Sequence, residues 1–112
     1  MNANPTQIIA PQPLTDALTE YFRAPENKRV IISKLTLSSI VEAVQPVDIH
    51  LVGMGDSADN TNLLLKQKYL DSNQSFPVYQ LEGQIMAPGD TLWAKAGAND
   101  SVLIMASGVT VV

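Results

Sequence analysis

His50 follows Asp48 by two residues in VDIHLV and is the single histidine of the chain. One imidazole acts as a general base only beside a nucleophile and an orienting carboxylate, and no second histidine is present to build a multi-histidine metal site. Alternation in this stretch puts Val47, Ile49 and Leu51 on one side of a strand and Asp48 and His50 on the other. His50 therefore reads as a solvated or interface histidine. Asp56, Asp59, Asn60 and Asn62 in GDSADNTN offer oxygen atoms of the kind calcium takes. The loop lacks the regular spacing and the terminal bidentate glutamate of an EF-hand, so it reads as a plain connection. The remaining acids, among them Asp16, Glu26, Asp71, Asp90 and Asp100, fall in turn-forming stretches. They do not present a converging pair suited to split acid and base roles. GMG at 53–55 is not followed by a helix start and makes no phosphate cradle. The chain has no cysteine, which excludes thiolate chemistry, disulfides and cysteine-based metal sites. The sequons at Asn73 and Asn99 would matter only in a secreted protein. No nucleophile, base and oxyanion donor can be named together. The expectation is a protein that is not an enzyme and holds no cofactor and no metal.

Composition narrows the partners instead. A chain of 112 residues supports one domain and one core. Charged residues make up 16% of it, against roughly 25% in soluble domains, so much of its surface is neutral or covered by something else. The net charge is −4. Lys28, Arg29 and Lys34, and separately Lys66 and Lys68, are too sparse to neutralise a row of phosphates, which argues against nucleic acid. They read as solvated strand edges. No run approaches the roughly 18 apolar residues of a membrane span. MNANPTQIIAPQPLTDAL lacks the basic and apolar regions of a signal peptide, so the expectation is a protein made in the cytoplasm with no membrane partner.

The elements that must position any site are strands. Residues 1–13 hold Pro5, Pro11 and Pro13 around the apolar island Ile8, Ile9 and Ala10, and are expected to form an extended N-terminal arm. The arm either frays or lays Ile8 and Ile9 into a neighbour's groove, and its removal should leave the rest folded. LTDALTEYF has helical spacing at Leu14, Leu18, Tyr21 and Phe22, but its β-rich surroundings favour extended structure. RVIISKLTLSSIV is too long and too mixed for one flat strand, so a bend or bulge is expected near Ser33 and Lys34. LLLKQKYL, with a possible helical turn at its start, and FPVYQLEGQI follow as strands. DTLWAKA, GAND and SVLIMA then read as a hairpin, and SGVTVV as a closing strand. Short strands about ten residues apart describe an all-β fold, a single β-sandwich or jelly-roll-like domain over 14–112 preceded by the arm.

Apolar side chains in odd places are the remaining signal. In DTLWAKAG, Leu92, Ala94 and Ala96 alternate with Thr91, Trp93 and Lys95, which leaves the only tryptophan on the polar side. In SVLIMAS, Leu103 and Met105 oppose Val102, Ile104 and Ala106. If the two stretches pair as a hairpin, Trp93, Leu103 and Met105 form one patch. Either a second sheet covers that patch or another chain does. With Ile8, Ile9 and Pro11 of the arm, these residues make the candidate partner interface.

In order, YFRAPENKRVIISKLTLSS, VDIHLV and LEGQIMAPGDTLWAKAGANDSVLIMASGVTVV resemble small all-β proteins encoded by tailed bacteriophages, in particular the capsid decoration or cement proteins of epsilon15-like short-tailed phages. The resemblance implies a jelly-roll-like domain on the outer surface of the head. There it would cross-link neighbouring major capsid subunits as a homodimer. No residue-level motif of the family carries over. Two alternatives stay open: a carbohydrate-binding module of a tail fibre or spike, with Trp93, Tyr69 and Tyr79 as its platform, and an accessory tail or connector component.

Overall fold

Arg29–Ser39, the strand β3, shows how this chain reconciles pattern with fold. Val30 and Ile32 are buried, Ser33 and Lys34 are both exposed, and Leu35, Leu37 and Ser39 are buried. The buried set changes phase by one residue, which a regular strand cannot accommodate because its side chains alternate with a period of two. A register shift between Ile32 and Lys34 absorbs the change, leaving Ser33 as the extra residue of a β-bulge at the expected place.

The computed structural model describes residues 3–42, 44–58 and 62–111. Around β3 these form β1 (Ala3–Pro13), β2 (Thr19–Arg23), β4 (Gln45–Val52), β5 (Leu63–Leu70), β6 (Ser75–Pro77), β7 (Ile85–Met86), β8 (Thr91–Ala96) and β9 (Val102–Val111), with one 3-10 turn at Tyr79–Leu81. One sheet runs β1-β9-β3-β6, with β7 also on β3, and the other runs β2-β8-β4-β5. Every pairing is antiparallel. With β6 and β7 as halves of one interrupted strand, the chain ends pair in nested order, β1 with β9 and β2 with β8. That nesting, split across two facing sheets, is the jelly roll. The all-β sandwich expected from the strand spacing is thus the observed fold.

Three local expectations are corrected. Residues 3–13 are extended but are not a free arm. They pair with β9 from Ala3 opposite Val111 to Pro13 opposite Leu103, and Ile8 (7% exposed) and Ile9 (1%) belong to this chain's own core. Register shifts on both sides of Ile9 let two adjacent β-branched residues turn inward together. The prolines are tolerated because β1 is an edge strand whose outer side needs no donor.

Secondly, β8 and β9 are not a hairpin, since they lie in different sheets. The residues between them cross the end of the sandwich beside residues 14–16. Leu14 N donates to Val102 O (2.8 Å), Ala96 N to Thr15 O (2.9 Å) and Asp16 N to Asn99 Oδ1 (2.8 Å). Tying each crossing to the other satisfies backbone groups that a hairpin would have paired within itself.

Thirdly, FPVYQLEGQI is not one strand. Between β6 and β7 the chain leaves the sheet opposite the β3 bulge, bonded at its two ends by Val78 N to Leu35 O (2.9 Å) and Gly83 N to Ile32 O (2.7 Å). The 3-10 turn in the excursion buries Leu81. LTDALTEYF is extended at β2, as its β-rich setting favoured, and Leu63 begins a strand without a helical turn.

Because Ile9 packs inside the sandwich, Ile9→Ala should cost about 2–5 kcal/mol in urea unfolding. Removal of residues 3–13, which takes out a whole strand, should abolish the cooperative transition. Deleting Ser33 should instead leave a folded protein, because it restores a two-residue period in which Ile32 and Leu35 face inward on either side of Lys34; loss of native chemical-shift dispersion in the deletion mutant would refute that reading of the bulge.

Candidate functional site

The sandwich leaves two outer faces, and their chemistry differs. On the β2-β8-β4-β5 sheet, Glu20, Trp93, His50 and Leu63 stand opposite one another in a row across all its strands. Leu92, Ala94 and Ala96 point inward, as the alternation predicts, so Trp93 is on the outer face and half-buried there. Its indole N–H donates to Thr91 Oγ1 at 2.9 Å. His50 is outward-facing but only 7% exposed, which corrects the solvated reading. Asn62 Oδ1 lies 2.9 Å from its Nδ1, and the Asn62 amide donates to Ser57 O at 2.9 Å, so Asn62 ties the imidazole to the loop after β4.

Asp90 anchors the other end of this loop. In the Ala87–Asp90 turn, Gly89 adopts φ 87° and Asp90 N donates to Ala87 O (3.0 Å). The Asp90 carboxylate accepts from Ala87 N (2.9 Å) and from Met54 N (3.2 Å). The Met54 side chain lies against Gly89, where a Cβ would come within 2.5 Å of its Sδ. Two ion pairs lie on this face among the described residues. Arg23 meets Glu20 at 2.9 Å, and Lys95 Nζ lies 3.8 Å from Asp48 Oδ2 beside a small groove lined by Asp16, Pro46 and Gly97. Asn62 serves to brace the loop, while Asp59 and Asn60 lie outside the described residues. Among the described residues, no three of His, Cys, Asp and Glu gather closely enough to hold a metal ion.

The β1-β9-β3 sheet presents a different surface. Along β9 the residues Val102, Ile104, Ala106 and Gly108 are buried and the alternate set faces out. Val109 stands between Pro5 on β1 and Ile31 on β3, and Ile31 is followed in turn by Ile85 on β7, which makes an apolar row across the sheet. Met105 stands opposite Thr36 and then Pro77, and Pro13 and Leu103 are followed by Ser38 and Ser75, so these two rows mix apolar with hydroxyl side chains. Ile85 is 61% exposed and Met105 47%. Arg29 and Lys34 are the charged residues of the three sheet strands on this face, and neither has an ion pair among the described residues.

The predicted interface residues therefore separate. Pro11, Leu103 and Met105 lie on the β9 sheet, Pro11 on its exposed edge strand. Trp93 lies on the opposite face of the molecule, and Ile8 and Ile9 lie in the core. The single patch of Trp93, Leu103 and Met105 does not form, because the strands that carry them belong to different sheets. The proposed sugar platform is divided as well: Trp93 on β8 and Tyr69 on β5 share the outer face of one sheet, and Tyr79 lies on the 3-10 turn outside it. Sequence reasoning missed Ile31, Val109 and Ile85. Ile31 and Val109 alternate with buried neighbours, but this signal becomes readable only once the bulge and the broken strand are located.

No family model matches the chain, and no curated protein matches it. Among solved structures, a chain from infectious bursal disease virus Gx strain is similar over 97% of this chain and 31% of its own length, at 15% identity and a TM-score of 0.47. A chain of the T13 infectious bursal disease virus particle covers 98% of this chain at 11% identity and a TM-score of 0.43. The Gt strain covers 97% at 11% identity and 0.43. This chain spans about a third of the length of each of them. The assignment of the jelly roll rests on the strand pairing itself.

Two substitutions separate the structural carboxylate from the exposed apolar face. Asp90→Ala leaves two backbone donors without their acceptor and should lower stability by about 1–3 kcal/mol. Met105→Ser, on an open surface, should stay within about 0.5 kcal/mol of the parent in the same thermal melt.

Proposed function

We propose that the protein is a structural virion component, a decoration protein that binds the outside of a bacteriophage head and cross-links neighbouring major capsid subunits. The observation that carries this reading is the outer face of the β9 sheet. It has an apolar row through Val109, further apolar side chains at Met105 and Leu103 set among hydroxyl residues, and large exposed side chains at Ile85 and Met105. A flat, stiff, sparsely charged sheet face suits docking onto another protein. The opposite face, with its ion pairs and tethered loop, suits exposure to solvent. The sequence resemblance to phage decoration proteins supplies the partner. Repetition over a closed shell supplies avidity, since many modest contacts acting together resist disruption better than any one alone.

The sugar-binding alternative would have to do without Tyr79, which lies apart from Trp93 and Tyr69. Purified protein mixed with expanded empty heads should co-sediment with them and raise their disruption temperature. Ile85→Glu combined with Met105→Glu should weaken that binding about a hundredfold, because each buries an unpaired charge in the contact. Trp93→Ala should still decorate. Absence of wild-type binding to heads at any concentration would sink the reading, and a glycan-array signal lost in Trp93→Ala would favour the sugar alternative.

A further inference from the structure

We infer that the surface on which the β9 sheet docks is acidic, with carboxylates placed to meet Arg29 and Lys34, and that it belongs to a different protein and not to a second copy of this chain. This rests on the docking role proposed above for that face. Arg29 stands opposite Val111, and Lys34 opposite Ser107. Between them along β3 lies Ile31, the centre of the row that runs from Pro5 through Val109 to Ile85. Both cations are exposed and without an ion pair among the described residues, whereas the described pairs of the opposite face are Arg23 with Glu20 and Lys95 with Asp48. The charges on the two faces are thus distributed unequally. A chain with net charge −4 displays, on the outer face of the β9 sheet, only positive side chains from its sheet strands. Glu26 and Glu82 sit in the turns before β3 and before β7, outside the strands of the face.

The spacing gives the recognition a geometry. Arg29 and Lys34 are five positions apart on a bulged strand, so their stems stand about 15 Å apart and bracket the apolar row. An apolar centre flanked by charges is the anatomy of a protein contact in which the centre supplies affinity and the flanking charges set register and steer approach. A second copy is the wrong occupant. Face-to-face pairing would bring four cations into one contact with no carboxylate from either sheet, and would press together two molecules of the same net sign. A partner with carboxylates about 15 Å apart on either side of an apolar patch answers both charges at once.

The test uses the full chain and expanded empty heads. Arg29→Glu with Lys34→Glu, both at exposed positions, should melt at the wild-type temperature yet bind heads about tenfold more weakly, chiefly through slower association. Wild-type binding should weaken as sodium chloride is raised from low to high concentration, and a variant with Arg29→Gln and Lys34→Gln should show a flatter dependence. Heads bound equally well by the charge-reversed variant, with the same salt dependence, would overturn the acidic-partner inference and leave the docking role standing. Failure of the wild type to bind heads would overturn both. Wild-type self-association in sedimentation, abolished by Met105→Glu, would overturn the choice of a different protein over a second copy.

Discussion

The antiparallel ladder that joins β9 to β1 on one side and to β3 on the other sets both the inside and the outside of this molecule. Side chains of a strand alternate, so the register that sends Val102, Ile104 and Ala106 into the core also stands Leu103, Met105 and Val109 on the outer face. The ladder leaves no room for error at Gly108, opposite Ile32 on one strand and Thr6 on the other, where an added Cβ would run into the Ile31 carbonyl and the Ile8 side chain. Glycine at that point lets β1 close on the sheet and lets Ile8 reach the core. The bulge at Ser33 is the matching adjustment on β3. On the other side of β3, β6 and β7 pair on either side of that bulge and the chain between them leaves the sheet beside it.

The same ladder divides the molecule into two unlike surfaces. On the β8 sheet Asn62 and Asp90 tie the loop after β4 at its two ends, His50 is buried, and two ion pairs, Arg23 with Glu20 and Lys95 with Asp48, are formed among the described residues. On the β9 sheet the chain leaves an apolar row open, and Arg29 and Lys34 have no ion pair among the described residues. Natural monomers keep such faces small, so an uncovered sheet face of this kind is the part of the fold that its internal packing does not account for. Free edges are managed by familiar means: prolines stud β1, and β2 is short and irregular in register.

Much of this was legible from residue order, and the failures share one cause. Strand content, the inward set Val47, Ile49, Leu92, Ala94 and Ala96, and the bulge near Ser33 all follow from local periodicity. The pairing of β8 with β9 was misread because GAND has the composition of a hairpin turn, while the choice of partner strand depends on the crossing at Leu14 and Thr15, about 80 residues earlier in the chain. The arm was misread for a similar reason. Its prolines speak against an interior strand but not against an edge, and whether an edge is available is a property of the whole sheet. Alternation places His50 on the correct side of its strand, but not its burial or the Asn62 side chain that meets its ring.

The sequence by itself determined that this is a small all-β domain with sparse charge, no thiol chemistry and a surplus of apolar side chains, because these follow from composition and from the two-residue period of a strand. Tertiary structure alone decided where the surplus goes: Ile8 and Ile9 to the core, Trp93 to one face, and Leu103 and Met105 with Ile31, Val109 and Ile85 to the other. The physical reason is that alternation assigns each residue a side of its own strand, while long-range pairing decides what that side confronts.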